Sequence, residues 1–450
     1  MSFFTRDRDF YKSFISLTSV IALQNLITFS VNLADNIMLG GYSETALSGV
    51  AIVNQIQFLL HMLVMGTANG MVVIASQYWG KRETEPIKKV FAVVFWLDLA
   101  IGIIFMLLGF FMPGQLCSLL TNELPVIAEG VKYLKIVCFS YGVFAVTTVL
   151  LGTLRSVEVV KIGFAVSALA LVVNVFLNYS LIYGHFGFPE LGVEGAAIAT
   201  LISRIAELSV VVVYALFVDK RLRLRLRDTL SVRREYVKDY VRSGLPVGLS
   251  SGSWGVAMAV QTAILGRLGT SVIAASSIAS TILQVVSVFA YGTGTSSQII
   301  IGKAVGAGKT EKIKEYSRTL QVLYVIIGVA SGLALCAIKN PVLSFYNVSD
   351  ETAELAGRFV IVLCFIVVGT AYEMPCLGGI VGGGGDTKFV LYNDIIFMWC
   401  IVIPMSFVSA FVLELSPVIT FFCLKSDQIT KCVVAIFKVN RYRWIKNLTR

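Results

Sequence analysis

Residues 377–388 read LGGIVGGGGDTK. Glycines followed by threonine and lysine pose the question of a phosphate cradle. A P-loop needs GxxxxGK[ST] between a strand and a helix. Here the lysine follows Asp-Thr and a long apolar run precedes it, so no nucleotide site is expected. The stretch has a twin instead: LGTLRSVEVVK at 151–161 lies 226 residues earlier and also closes an apolar run. The same offset pairs LGGYSETALSGVAI (39–52) with LGRLGTSVIAASSI (265–278). SQYWGKRETEPIKK (76–89) and SQIIIGKAVGAGKTEKIKE (297–315) share SQ, GK and trailing lysines. The chain therefore reads as a doubled half. The glycines are expected to let one helix end and the next begin in a tight turn, with glycine taking positive φ.

The rest of the chain says where those helices lie. It has 450 residues, 56% hydrophobic and 14% charged, with a mean hydropathy of +0.81. Soluble domains carry about 25% charged residues. Runs long enough to span a bilayer fall at about 13–37, 46–72, 89–112, 131–151, 162–183, 193–217, 241–266, 271–299, 317–338, 355–381, 389–412 and 415–437. They are too long for barrel strands and lack the alternating pattern. The expectation is an all-α integral membrane protein with twelve transmembrane helices in two pseudo-symmetric six-helix bundles. The lobes are 1–218 and 241–450, joined by a basic linker at 219–240. Little chain is left for a soluble catalytic domain. The eight cysteines are scattered without a CxxC, and the two histidines, His61 and His185, make no metal cluster.

Charge sets the orientation. Basic residues crowd the connections after the even-numbered runs, nine of them in DKRLRLRLRDTLSVRREYVKDYVR (219–242). The alternate loops LGGYSETALS, TNELPVIAEG and FPELGVEG have no lysine or arginine. The basic side is then cytoplasmic, with both termini, in a multi-pass plasma (inner) membrane protein. The alternating RLRLRLR could form a strand or a nucleic-acid patch. With no folded domain around it, it reads as a linker lying on anionic headgroups, so membrane lipids are expected partners and nucleic acid is not.

Taken together, VNLADNIMLGGYSETALSG (31–49), SQYWGKRE (76–83), LGTLRS (151–156), VVNVFLNYSLIYG (172–184), LGVEGAAIAT (191–200), RSGLPVGLSSGSWG (242–255) and GGGGDTKF (382–389) resemble the multidrug and toxic compound extrusion (MATE) transporters. The resemblance implies a two-lobed antiporter that exports small organic cations in exchange for Na⁺ or H⁺, with no other cofactor and no nucleotide. It carries the coupling-ion role to Asp35, with Asn174 and Asn178 beside it, where a Na⁺ could bind.

The residues agree. An ionisable group inside a span is a functional candidate by default. Gln24, Asn25, Asn32 and Asp35 fall largely along one helical face, and Asn174 and Asn178 stand one turn apart. Glu373, two residues before Pro375, sits roughly 14 Å into the membrane from the cytoplasmic glycines. It is a candidate for substrate or a second ion, with Pro375 a hinge and Gln261 and Gln284 candidate hydrogen-bonding partners. Two departures from the family stand out. Run seven has Ser251 where many members carry a glutamate, and run one lacks a proline near Val20. Arg204 and Glu207 read as an intrahelical pair. Asp98 is intramembrane and is assigned no role. No Ser/His/Asp or metal constellation supports an intramembrane enzyme, and internal doubling argues for a single-chain cavity in a monomer rather than an oligomeric channel. The alternative kept open is a flippase or exporter of a lipid-linked or non-cationic metabolite.

Overall fold

The computed structural model describes residues 4–343 and 349–450. Seventeen α-helices occur among them: α1 Arg8–Tyr42, α2 Glu44–Gly80, α3 Thr84–Phe111, α4 Pro113–Ser118, α5 Leu124–Val137, α6 Phe139–Ser156, α7 Lys161–Tyr183, α8 Gly192–Val213, α9 Arg234–Ser243, α10 Leu245–Gly266, α11 Thr270–Gly306, α12 Thr310–Leu343, α13 Asp350–Met374, α14 Thr387–Ile395, α15 Ile403–Phe411, α16 Pro417–Lys425 and α17 Asp427–Asn440. Helices are what a bilayer permits, because each backbone group must be satisfied without water. Their hydroxyls follow the same rule: Thr147 donates to the Val143 carbonyl at 3.0 Å and Ser180 to that of Phe176 at 2.8 Å.

Each of the twelve apolar runs falls on a helix, a bent pair or a helix extended by a π segment. Among the described residues, nine pass a length-and-hydropathy test for spanning, and α5 with α6, bent by 51°, makes ten. The other two runs fall on α10, diluted by glycine and serine, and on α16–α17, which is broken at Ser426 and carries Lys425, Asp427 and Lys431. The RLRLRLR alternation makes no strand. Leu222 and Leu224 are buried and the intervening arginines exposed, in an irregular segment where Asp219 accepts from the Leu222 backbone at 2.8 Å.

Contacts divide the chain into two compact units. One comprises residues 1–22, 76–82 and 243–450, the other 23–75 and 83–242. The division differs from lobes drawn at 219–240, because the start of α1 and the end of α2 group with the C-terminal half. In the second unit Leu39, Val53, Leu60, Tyr133 and Val137 form the core. In the first, Phe359 and Phe421 stack at 4.2 Å within a cluster of Leu335, Leu363 and Leu424.

The doubled motif explains why 76–82 belongs to the first unit. SQYWGK (76–81) packs against the SQIIIGK segment at the end of α11 backbone to backbone. A Cβ on Gly306 would overlap the Gln77 carbonyl, one on Gly80 the Lys303 carbonyl, and one on Gly302 the Ser76 hydroxyl. The quoted glycines extend the same contact. A Cβ on Gly383 would meet the backbone of Gln298 and one on Gly384 the buried ring of Trp444. Gly385 alone of the four takes positive φ, at +100°. The turn is therefore sealed rather than open. Gln77 Nε2 donates to the Gly383 and Lys446 carbonyls, and its Oε1 accepts from the Leu448 amide at 2.8 Å. Asp386 pairs with Lys438 at 2.8 Å and Lys446 at 2.7 Å.

Two outcomes follow from this seam. Gly306→Ala forces a methyl into a backbone carbonyl and is expected to cost about 1–3 kcal/mol, read as a lower thermal midpoint, whereas Gly142→Ala, with open space around it, lacks that steric term. Burial raises the Asp386 pKa, but the hydrogen bonds and charges of Lys438 and Lys446 outweigh it and leave it below the ordinary value. Such a group stabilises the fold above its unfolded pKa and loses that contribution as pH falls. Limited proteolysis of residues 441–450 should therefore accelerate below about pH 4. In Asp386→Asn it should be fast at neutral pH.

Candidate functional site

Within the second unit, α1 and α7 bring together all three residues expected to handle a coupling ion. Asn178 Nδ2 donates to Asp35 Oδ1 and, at 3.0 Å, to Asn174 Oδ1. Both asparagines are buried and Asp35 is half-buried. The one-turn spacing of Asn174 and Asn178 makes the pair possible: both amides project from one face of α7.

Asp35 and Asn174 line a polar cavity whose other walls come from α2, α5, α6 and α8. Asn54, Gln57 and His61 enter from α2, Tyr133 from α5, Tyr141 and Phe144 from α6, and Thr200, Arg204 and Glu207 from α8. The space is small, with room for a few ordered waters. Its polar lining is under-satisfied. Gln57 Nε2, Tyr141 OH, Asn174 Nδ2 and Thr200 Oγ1 are buried without a hydrogen-bond partner, as is Asn178 Oδ1 beside Asp35. Groups left in that state call for water or an ion. Arg204 does pair with Glu207, at 2.9 Å, as its spacing implied. The pair nevertheless faces this cavity, and Arg204 lies 5.3 Å from the Phe144 ring, on which His61 stacks at 4.1 Å.

Asp98 is elsewhere in this unit, fully buried on α3. It accepts from Thr67 Oγ1 and leaves its Oδ2 without a partner, while Tyr240 of α9 donates to the Thr67 carbonyl at 3.0 Å.

The first unit holds the remaining candidates but does not gather them. Glu373 is buried near the end of α13, with Lys431, Asp427 and Asp394 as charged neighbours. Pro375 caps α13 and begins a π segment, Pro375–Gly382, so the helix changes its hydrogen-bond register there. Gln261 is engaged: its Oε1 accepts from Lys425 at 3.1 Å and its Nε2 faces the Met398 sulfur at 3.4 Å. Gln284 is exposed on α11. Ser251 is half-buried, and the neighbouring Ser250 donates to Asp394 Oδ2. Sequence reasoning missed Asp394, Lys425, Asp427 and Lys431. The signal was available, since each is a charge inside run eleven or twelve.

A multi-pass helical protein with a polar, half-charged cavity inside one helical unit is a membrane transporter in class. The MatE family model matches residues 21–180 and 246–408, and the chain belongs to that family; its members are transporters rather than enzymes. It is 25% identical over 409 residues to the "Probable multidrug resistance protein NorM" of Listeria innocua, covering 89% of this chain and 88% of that one. Its fold is that of solved MATE structures. The Vibrio cholerae transporter VcmN superposes with a TM-score of 0.87 at 16% identity, covering 98% of each chain. A MOP superfamily transporter from Pyrococcus furiosus gives 0.86 at 20%, covering 96% of this chain and 95% of that one.

Replacing Asn178 with leucine removes the main amide donor to the half-buried Asp35 carboxyl. The expected loss is about 1–3 kcal/mol, read as a lower thermal midpoint in detergent. Asn174→Leu should cost less, because Asn178 is the closer and stronger partner of Asp35. Equal midpoints for wild type and Asn178→Leu would show that the amide does not hold the carboxyl.

Proposed function

We propose that this transporter is a secondary active antiporter that exports organic cations or drugs across the plasma membrane in exchange for Na⁺ or H⁺. The carrying observation is the carboxyl of Asp35, tied to Asn178 at the edge of a small cavity lined by unpartnered polar atoms. A carboxylate with amide oxygens supplies hard ligands for Na⁺, and the same carboxyl can take a proton instead. The cavity fits an ion and a few waters better than a drug in this conformation, so Asp35 is read as the coupling site and cargo is bound after rearrangement. Glu373 is read as a contact for cargo or a second ion. The doubled sequence supports alternating access by rocking of two lobes, with Pro375 and its π segment as a hinge. The basic loops support cytoplasmic termini.

The multidrug description of the Listeria innocua relative supports a polyspecific cargo. One observation favours the second reading, an exporter of a lipid-linked or otherwise non-cationic metabolite. Run seven lacks its acid, and Lys425, hydrogen-bonded to the neutral Gln261, places positive charge in run twelve.

Efflux of a fluorescent cation from cells, with Na⁺ and pH gradients imposed separately, tests both. Asp35→Asn is expected to reduce efflux at least tenfold while wild type responds to one gradient. Normal efflux by Asp35→Asn would refute the coupling role. Absence of cation efflux by wild type under either gradient would favour the second reading.

A further inference from the structure

The first unit contains a charge arrangement that the coupling site does not use. Lys431, on α17, is 4% exposed. Its Nζ lies 3.0 Å from Asp394 Oδ1 on α14 and 3.3 Å from Asp427 Oδ2 one turn earlier on α17. Asp394 is held on the oxygen away from the lysine, whereas Asp427 takes Lys431 and Gln428 on the same oxygen. Asp394 Oδ2 accepts from Ser250 on α10, and Asp427 Oδ2 accepts from Gln428 Nε2 at 2.9 Å. Asp427 is 1% exposed, whereas the Asp394 side chain is 29% exposed, so the cluster opens to its surroundings on the Asp394 side. Glu373, 6% exposed, is a third carboxyl neighbour.

Two neighbouring carboxylates, one buried and one partly exposed, repel unless a cation stands between them. That position is filled here by an ammonium group covalently tied to the protein. The oxygens around it are hard donors of the type that suit a small metal cation: two carboxylates, with the Ser250 hydroxyl behind one of them. Losing one partner of a buried ion pair is strongly destabilising because the remaining charge is uncompensated. Run seven supplies no acid at Ser251. Asp394, fixed by the adjacent Ser250, places a carboxylate next to that part of α10 from another helix, together with its own counter-ion.

We propose that Lys431 is a tethered resident cation between Asp394 and Asp427, occupying the place of a Na⁺ and making this unit indifferent to Na⁺. It is a specificity-determining residue. With the lysine in place Na⁺ finds no vacancy, and without it the same carboxylates form a Na⁺ site. The test rests on the reading of Asp35 only in that Asp35 must first be silenced.

Thermal midpoints of the full-length protein in detergent are therefore compared in NaCl and KCl, all in an Asp35→Asn background. That background alone should show no Na⁺-specific shift. Adding Lys431→Gln should lower the midpoint in KCl and create a Na⁺-specific recovery of about 3 °C or more. Asp394→Asn should abolish the recovery. Lys431→Arg, which keeps the charge, should not gain it. A folded Lys431→Gln protein with no Na⁺ response would overturn the proposal and leave the lysine a packing ion pair.

If Lys431→Gln does not fold, equilibrium ²²Na⁺ binding to the Asp35→Asn protein decides. Absence of saturable binding supports a filled site, and saturable binding lost with Asp394→Asn overturns it. A Na⁺ response that survives both Asp35→Asn and Asp394→Asn counts against the Asp35 reading and leaves the Lys431 comparison intact.

Discussion

Glycines, which have no Cβ, let two stretches of main chain touch, and much of the first unit is arranged around that contact. Gly80 and Gly306 sit where any side-chain carbon would overlap a carbonyl of the opposing segment. Closeness at this point puts Gln77 within reach of Gly383, Lys446 and Leu448. One buried amide thus ties the end of α2, the glycine turn and the C-terminal segment together. Asp386, with a lysine on either side, closes the same region electrostatically. The seam is built from repeated sequence: SQYWGK and SQIIIGK are copies of one motif, and each provides the small residue the other requires.

The two units treat buried charge in opposite ways. Around Asp35 several buried polar atoms lack a protein hydrogen-bond partner, which is costly in a low-dielectric interior. Around Asp394 and Asp427 the negative charge already faces an ammonium group. A pseudo-symmetric fold has therefore diverged in its electrostatics while keeping its helical plan. Arg204 and Glu207 show an intermediate condition: an intrahelical pair by spacing, yet one that faces the cavity beside Phe144 and His61.

Much of the fold was legible because a bilayer leaves so few solutions. Each of the twelve apolar runs became a helix, a bent pair or a helix with a π extension, and the doubling was visible in short motifs. The partners of 76–82 were not legible, since the end of a span carries no mark of which half it will pack against. RLRLRLR, read as a linker in spite of its period of two, follows an irregular path on which alternate leucines are nevertheless buried. At the site, Asp35, Asn174 and Asn178 were readable from spacing and resemblance together. Gln57, Tyr141 and Thr200 were not, because a neutral polar residue in a span is more often bonded back to its own helix. The Lys431 cluster was missed for a different reason. Its carboxylate, Asp394, lies in run eleven, 144 residues from the Ser250 it joins, and no spacing links the two.

The paired glycine motif also has a consequence in time. Residues 76–82 leave the ribosome more than 200 residues before 297–306, their packing partner. Contacts of such long sequence separation form late and slowly. Throughout that interval the end of α2 has no native neighbour for its bare glycine surface, and Gln77 has none of its three distant partners. Assembly of the N-terminal half before synthesis ends must therefore leave this corner, like the start of α1, unfinished until the later helices arrive.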